Sequence, residues 1–511
     1  MTPRSEHPLY DLRRTITSLA LVWMLAAPAC RRAEQPPPGA KAGDAADRLP
    51  NIIVLTVDTL RADHLALYGY ERDTMPTIEA LARTATTFDN AVVPRGSTRP
   101  SYASMLTGLY PFRHGVRSNG AVLHDDLTTL PEILARRGYH TAAFVSNFVL
   151  LGELSGCGQG FDVYDDRVAE RETNRPNYER TAANTAQAIL DWLENGPPEP
   201  FLLFTNFIDP HGPYRPPPHF RNLYRSTQTR HLEPGRIPRY QLVEGVSDYF
   251  DYVDRYDAEI RYTDDALATV IGALSARGLW DDALVIFTAD HGESLGEHGI
   301  FFEHHLHVYE ETVRVPLIIR LPIRDRNRYG PIPRRVAELC SPMDLLPTVL
   351  AQLGIAHQQA IDGRNLLPAI RGQPAADGFL FIEFPSSAAA DGSLPDIYAV
   401  RTTTHKMLRL LDPKTGQTAQ EAFYHIAQDP LEASPARYDA TSAVHRNLRR
   451  RMDHMLDRVR GYRLPFTLTV YEMPPSQRPD FLKNRPPRTG QVTKTLTADQ
   501  IERLRSLGYV E

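Results

Sequence analysis

Short apolar runs that stop abruptly at an acid, a histidine or a turn recur along this chain. Ile52-Ile53-Val54-Leu55-Thr56-Val57 is apolar and β-branched and ends at Asp58. That pattern predicts a buried parallel strand delivering a carboxylate at its C-terminal end. Ala283 to Ala289 repeats the design and ends at Asp290-His291-Gly292. Phe201 to Ile208 runs into Asp209-Pro210-His211-Gly212-Pro213-Tyr214, while Ala142 to Ser146 and Val315 to Arg320 read as further strands. Tyr256, Ile260, Leu267, Ile271 and Leu274 recur at helical spacing and predict a crossover helix over Tyr252 to Ala276. Strands alternating with helices place the chain in the α/β class.

Beyond Gly372 the texture changes. Alternation over Ile397 to Thr403 and His405 to Leu411 predicts two strands, Val444 to Arg460 a basic helix, and Thr497 to Leu507 a short amphipathic one. The triplet Arg449-Arg450-Arg451 reads as a solvated helix face. The expected organisation is an N-terminal export segment at 1–30, a Pro- and Ala-rich disordered tether at 31–50, a catalytic domain at 51–371, and a subdomain with its tail at 372–511. In the first segment Arg13-Arg14 precede an apolar run, Ile16 to Ala29, too short to span a bilayer comfortably. Ala27-Pro28-Ala29-Cys30 resembles a bacterial lipoprotein processing site, leaving Cys30 lipidated; a plain cleaved signal and a twin-arginine signal are the alternatives. The expected location is therefore outside the cytoplasm, as a periplasmic or outer-membrane lipoprotein or otherwise secreted, with the lipid anchor as the sole membrane contact.

At 511 residues the chain has room for one large α/β domain with an appendage, and its net charge of -5 argues against a nucleic-acid partner. Besides Cys30 it carries only Cys157 and Cys340, so at most one disulfide joins them and no cysteine framework holds a metal.

Chemistry concentrates where strands end. In an open α/β sheet the site lies beyond the carboxyl ends of the strands, so the Asp58 and Asp290 strands converge on one point. Asp58, Asp290 and His291 then offer hard oxygen and imidazole ligands to a divalent cation. Between those strands runs Val93-Pro94-Arg95-Gly96-Ser97-Thr98-Arg99-Pro100-Ser101-Tyr102, followed by the small, apolar Ala103 to Leu106. Proline is tolerated at the start of a helix, and a helix N-terminus attracts anions, so Thr98 presents a hydroxyl where a sulfate or phosphate can sit.

Several ordered motifs agree. The chain reads V-D-T-L-R-A-D-H-L from Val57, P-S-x-A-S-M-L-T-G from Pro100, F-x-D-P-H-x-P-Y from Phe207, A-D-H-G-E-x-L-G-E-H-G from Ala289, and Y-E-E-T-V-R-V-P-L-I-I-R from Tyr309. Together they resemble the sulfatase family of the alkaline-phosphatase-like superfamily, from about Asn51 to the C-terminus. The resemblance implies a large mixed sheet flanked by helices and a smaller C-terminal subdomain with an antiparallel sheet and a packed helix. It also implies one divalent metal ion, with calcium first and magnesium, manganese or zinc as alternatives. By the same resemblance His211 and His304 contact the transferred group or protonate the leaving oxygen, with Ser101 and His305 as further substrate contacts, and Asp209 orients His211 or joins the metal.

The departures are as informative. Thr59 stands where many sulfatases carry a second metal-binding aspartate, with Asp63 and His64 as nearby substitutes. Thr98 occupies the position of the residue oxidised to formylglycine, and Tyr102 that of an arginine. Val145-Ser146-Asn147-Phe148 replaces a G-K-W-H tetrad of substrate contacts, and His304 or His305 replaces a lysine. A secondary alcohol cannot be oxidised to an aldehyde, so Thr98 is expected to act as a plain nucleophile, its hydroxyl acidified by the neighbouring cation. The expected activity is metal-dependent hydrolysis of sulfuric esters or phosphodiesters carried by a small molecule or glycan. The alternatives are a phosphoglycerol- or phosphoethanolamine-type transferase and a binding protein that kept the fold without catalysis. The oligomeric state is not readable.

Overall fold

The computed structural model describes residues 48–168, 179–304, 306–329, 332, 334–357, 359–373, 378–385, 395–472, 491–498 and 500. The export segment, Cys30, nearly all of the tether, His305 and most of the Thr497 to Leu507 helix lie outside them. Among the described residues no helix is long and apolar enough to cross a membrane.

Among the described residues sixteen strands are numbered in chain order. β1 (Ile52–Val57), β2 (Thr86–Val92), β3 (His140–Phe144), β4 (Val163–Asp165), β5 (Phe201–Phe207), β6 (Leu284–Ala289), β9 (Arg314–Arg320) and β10 (Arg335–Cys340) form one sheet. A short hairpin of β7 (Ser294–Leu295) and β8 (Phe301–Glu303) follows β6. The order in the large sheet is β10-β2-β9-β6-β1-β5-β3-β4. It is mixed: β1 is parallel to both β5 and β6, whereas β9 runs antiparallel to β6 and β2. β1, β5 and β6 are buried along their whole length, which is why they read as continuous apolar runs instead of alternating ones.

Register places the site. Val57 pairs with Ala289 on one side and Phe207 on the other, so Asp58, Asp290 and Ile208 leave the sheet in one row. The helix Thr98–Thr107 is buried throughout and begins at Thr98 itself, five residues earlier than the Ala103 start of the apolar segment suggests. The crossover helix runs Tyr249–Ala276, one turn longer at its N-terminus than the apolar spacing alone predicts, because Asp248 caps it by accepting from Phe250 N and Asp251 N.

The smaller sheet is antiparallel: β11 (Leu380–Phe384), β12 (Asp396–Arg401), β13 (His405–Leu411) and β14 (Thr418–His425). The helix Ala443–Gly461 lays Leu448, Met452, Met455 and Leu456 on Phe381, Tyr398, Val400 and Met407 of that sheet. On its outer side Arg449 pairs with Glu421 at 2.6 Å and covers the Tyr438 ring. β15 (Leu468–Glu472) pairs with β16 (Gln491–Thr495), and the tail returns to the larger body through Val122 N to Thr469 O at 3.0 Å and Tyr471 N to Gly120 O at 2.9 Å. Cys157 and Cys340 are both free and buried.

Candidate active site

The row of residues leaving β1 and β6 is fully buried, and each side chain in it is held by one edge. Asp58 takes Asn147 Nδ2 at 2.7 Å on Oδ2, while its Oδ1 has no hydrogen-bond partner. Asp290 takes His291 N at 2.9 Å and Thr59 N at 3.3 Å on Oδ1, while its Oδ2 is left without one. His291 Nδ1 lies 2.9 Å from Gly292 O, which assigns its proton to that nitrogen and leaves the Nε2 lone pair able to serve as a ligand. Nε2 faces Asp58 Oδ1 at 3.6 Å and Asp290 Oδ2 at 3.4 Å. One ligand atom from each of the three residues falls within 4.8 Å of the others.

Electrostatics point the same way. Burial, and then the neighbouring Asp290, pushes the Asp58 carboxyl up to about 8; burial does the same to Asp290, also to about 8. Burial lowers His291. Two buried carboxyl groups with unmatched oxygens and a neutral imidazole lack a counter-charge, and a divalent cation supplies one. The donor set fits such an ion.

Thr98 brings its Oγ1 to 3.3 Å from His291 Nε2. The helix that carries it is positioned by Ser97 Oγ and Arg99 N, both bonded to Asn119 Oδ1, at 3.2 and 2.9 Å. His304 stacks on His291 with ring centroids 4.4 Å apart, and His211 meets His304 edge-on at 5.4 Å. The structure thus gathers Asp58, Thr98, His211, Asp290, His291 and His304 around one point.

Other candidates are directed elsewhere. Ser101 gives its hydroxyl to Arg95 O at 2.8 Å and pins the turn before the helix. Asp63 is bound to Arg61, and His64 to Asp257 at 2.7 Å, so neither substitutes for the missing second aspartate. Tyr102 turns into the sheet and bonds Thr56 and, at 2.9 Å, Asn206 Nδ2. Asp209 spends Oδ2 on Ala182 N, 2.8 Å away, at the start of the helix Ala182–Glu194.

Two residues escaped the sequence reading. Asn147, from the segment that replaces the G-K-W-H tetrad, orients Asp58 and in turn takes Val149 N on its Oδ1 at 3.0 Å. Glu293 is fully buried, with Oε1 3.2 Å from His304 Nδ1 and Oε2 accepting from Tyr214 OH at 3.2 Å. Its position two residues after His291 in A-D-H-G-E was the available signal. Thr59 sits beside the Asp58, Asp290 and His291 group in the left-handed region (φ 53°), its Oγ1 buried and without a partner.

The sulfatase family profile matches residues 50–355, and the profile of the N-sulphoglucosamine sulphohydrolase C-terminal region matches 296–460. The chain belongs to the sulfatase family. Among its relatives in that family, an ulvan-active sulfatase of Formosa agariphila is 27% identical over 350 residues, 64% of this chain and 66% of that one. A choline-sulfatase of Rhizobium meliloti is 27% identical over 438 residues, 75% of this chain and 81% of that one. The phosphonate monoester hydrolase of Agrobacterium radiobacter shares the fold at a TM-score of 0.65 and 20% identity, covering 81% of this chain and 95% of its own. The large mixed sheet with a separate C-terminal antiparallel sheet is thus the sulfatase fold.

Proposed function

We propose that this sulfatase-family protein is a metal-dependent hydrolase of sulfuric esters or phosphodiesters, with Thr98 as nucleophile. The observation that carries the reading is the placement of Thr98 Oγ1, at the start of a buried helix and 3.3 Å from His291 Nε2, in contact with the cation-ready Asp58, Asp290 and His291. Asp58, Asp290 and His291 would hold the ion, which when bound supplies Lewis acidity and neutralises the two carboxylates. A single dication leaves a site best matched to a centre of one negative charge, as in a sulfate ester or a phosphodiester.

Thr98 gives up its hydroxyl proton to the surrounding water, its Oγ1 attacks the sulfur or phosphorus, and the bond to the alcohol oxygen breaks. That oxygen takes a proton from His211 or His304, whose rings adjoin each other and, through His304, the His291 ring. The group is left esterified to Thr98. Because the carbon bearing the oxygen is secondary and carries no second hydroxyl, the group cannot leave by collapse of a geminal diol. A water must attack the same sulfur or phosphorus, passing its proton to the imidazole, and the Thr98 oxygen then leaves and is reprotonated. Attack on a Thr98 phosphodiester or sulfate by an acceptor alcohol in place of water defines the transferase alternative.

The relatives named for ulvan and choline sulfate support a sulfated glycan or small molecule as the substrate class. Export through the N-terminal segment, with a lipid anchor at Cys30, belongs to the same proposal. The test is turnover of p-nitrophenyl sulfate and bis-p-nitrophenyl phosphate by the purified chain, with calcium, magnesium, manganese or zinc added in turn, beside Thr98→Ala. Sulfate release lost in the variant supports a sulfatase working without formylglycine, and diester release lost in the variant supports the phosphodiesterase arm. Turnover unchanged in Thr98→Ala sinks the reading.

A further inference from the structure

His211 and His304 reach the site from separate segments, and a third segment touches the neighbour of each. Residues 215–248 leave the end of β5 and lead into the helix Tyr249–Ala276. On the way they form two short turns, Pro234–Arg236 and Arg239–Gln241. Tyr240 OH donates to Glu303 Oε1 at 2.8 Å, next to His304. The Gln241 side chain lies on Gly212, next to His211, so closely that a Cβ built on Gly212 would sit 1.5 Å from Gln241 Oε1 and 2.8 Å from Nε2. Gly212 O in turn accepts from His211 Nδ1 at 2.8 Å.

Gln241 is fully buried, and neither Oε1 nor Nε2 has a hydrogen-bond partner. Buried amides ordinarily have their bonds met, because an unmet donor or acceptor keeps the whole cost of leaving water. Asn206 of the same site follows that rule: its Oδ1 takes Ser146 N and Asn147 N, each at 3.1 Å, and its Nδ2 reaches Tyr102. Leucine or methionine would fill the Gln241 volume without leaving two polar atoms unmatched. A donor and an acceptor on one rigidly packed group, beside a histidine of the site, are a recognition element for a group that both donates and accepts.

We propose that Gln241 is a substrate-recognition residue whose carboxamide binds a hydroxyl on the alcohol half of the ester, Oε1 accepting the hydroxyl proton and Nε2 donating to its oxygen. The inference rests on the ester-hydrolase reading above and deepens it, making a hydroxylated alcohol the favoured leaving group. A second sulfate or a carboxylate matches Nε2 alone, and a quaternary ammonium or an alkyl chain matches neither atom. Sites built to bond a hydroxyl discriminate strongly against analogues lacking it, because the protein groups are then left unpaired.

The experiment measures binding by calorimetry in a Thr98→Ala background, so that no ester is consumed, with glucose 6-sulfate and hexyl sulfate as probes and the metal present. Gln241→Leu is expected to weaken glucose 6-sulfate by about ten- to a hundredfold while hexyl sulfate stays within about twofold. The variant is also expected to melt no lower than its parent, since the unmatched donor and acceptor are gone. Gln241→Met serves as the second variant if Leu packs poorly. Equal losses on both probes, or a parent chain that binds hexyl sulfate as tightly as glucose 6-sulfate, would overturn the assignment. Failure of the hydrolase reading shows separately, as no turnover of any ester by the wild-type chain, and leaves the binding comparison legible.

Discussion

Thr98 Oγ1 and His291 Nε2 stand 3.3 Å apart although 193 positions separate them in the chain. The contact exists because the helix Thr98–Thr107 begins at the hydroxyl and because β6 releases His291 in the row that β1 opens with Asp58. Neither side chain has room to turn away, both being fully buried. A nucleophile so placed makes a sharp kinetic prediction. Thr98→Ala should lower kcat by about a thousandfold or more, the order seen when a nucleophile is removed. Thr98→Ser, which keeps a hydroxyl, should stay within about tenfold of the parent. Steady-state turnover with both variants checks this, and a Thr98→Ala enzyme of near-normal kcat would remove Thr98 from the mechanism.

Cation binding should be linked to protons. Without the ion, burial holds both Asp58 and Asp290 protonated up to about pH 8. The cation must displace those protons, so its affinity should rise as pH rises toward 8 and level off above it. Proton release on binding should be larger at pH 6 than at pH 9. Calorimetry in buffers of different ionisation enthalpy reads the release directly, and an affinity flat from pH 6 to 9 would contradict the assignment. At free ion a hundredfold above Kd, the ion should add about 2.7 kcal/mol to stability, visible as a fall in Tm with a chelator.

What the sequence disclosed of this site, and what it hid, divides along a physical line. Asp58, Asp290 and His291 were visible because a strand buried on both faces writes itself as a continuous apolar run, and its end is where the carboxylate falls. The antiparallel sheet of β11 to β14 was foreshadowed by alternation at Ile397 to Thr403 and His405 to Leu411. Asn147 was hidden because its job depends on a partner 89 positions away, and a tetrad that departs from the family pattern reads as a loss when only sequence is in hand. Ser101 misled in the opposite sense: it sits in a family motif, yet its hydroxyl closes a turn onto Arg95 O six residues back. Gln241 lies in a segment without apolar periodicity, so only its burial against Gly212 marks it.

A buried histidine outside the site should set acid lability. His114 is fully buried, with Nε2 3.0 Å from Ser104 Oγ and Nδ1 accepting Val116 N at 3.1 Å. Burial, and then Arg117, lowers it from 6.5 to about 3. Below pH 6.5 the unfolded chain takes up a proton that the folded chain refuses until about pH 3, so stability falls across that window as pH falls. The loss attributable to His114 is about 2–3 kcal/mol by pH 4.5, and none of it is present above pH 7. Urea midpoints of the parent and His114→Gln at pH 7.5 and 4.5 measure it. Identical pH dependence in the two would show that His114 is not the group responsible.

The strongest stability prediction concerns the joint between the two sheets. Lys406 of β13 is fully buried, its Nζ 3.2 Å from Glu310 Oε1 and 3.0 Å from Glu432 Oε2. Arg401 of β12 also binds Glu310, at 3.2 Å, and reaches Asn90 of β2 at 3.0 Å, while Glu310 N donates to Glu432 Oε2 at 2.6 Å. Burial by itself would raise the Glu310 carboxyl, but Arg401 and Lys406 overcome it and hold the group below its ordinary range, whereas burial, with Glu310 beside it, keeps Glu432 above its own despite Lys406. Two cations thus face two buried acidic groups, and the balance fails when one member is removed. Lys406→Met should cost about 3–5 kcal/mol, because a buried carboxylate is left without its partner. Glu432→Gln added to Lys406→Met removes the orphaned charge and should recover part of that loss, so the two substitutions should be non-additive by at least about 1 kcal/mol. Urea unfolding of the parent, both single variants and the double variant closes the cycle, and simple additivity would mean that Lys406 and Glu432 are neighbours without being coupled.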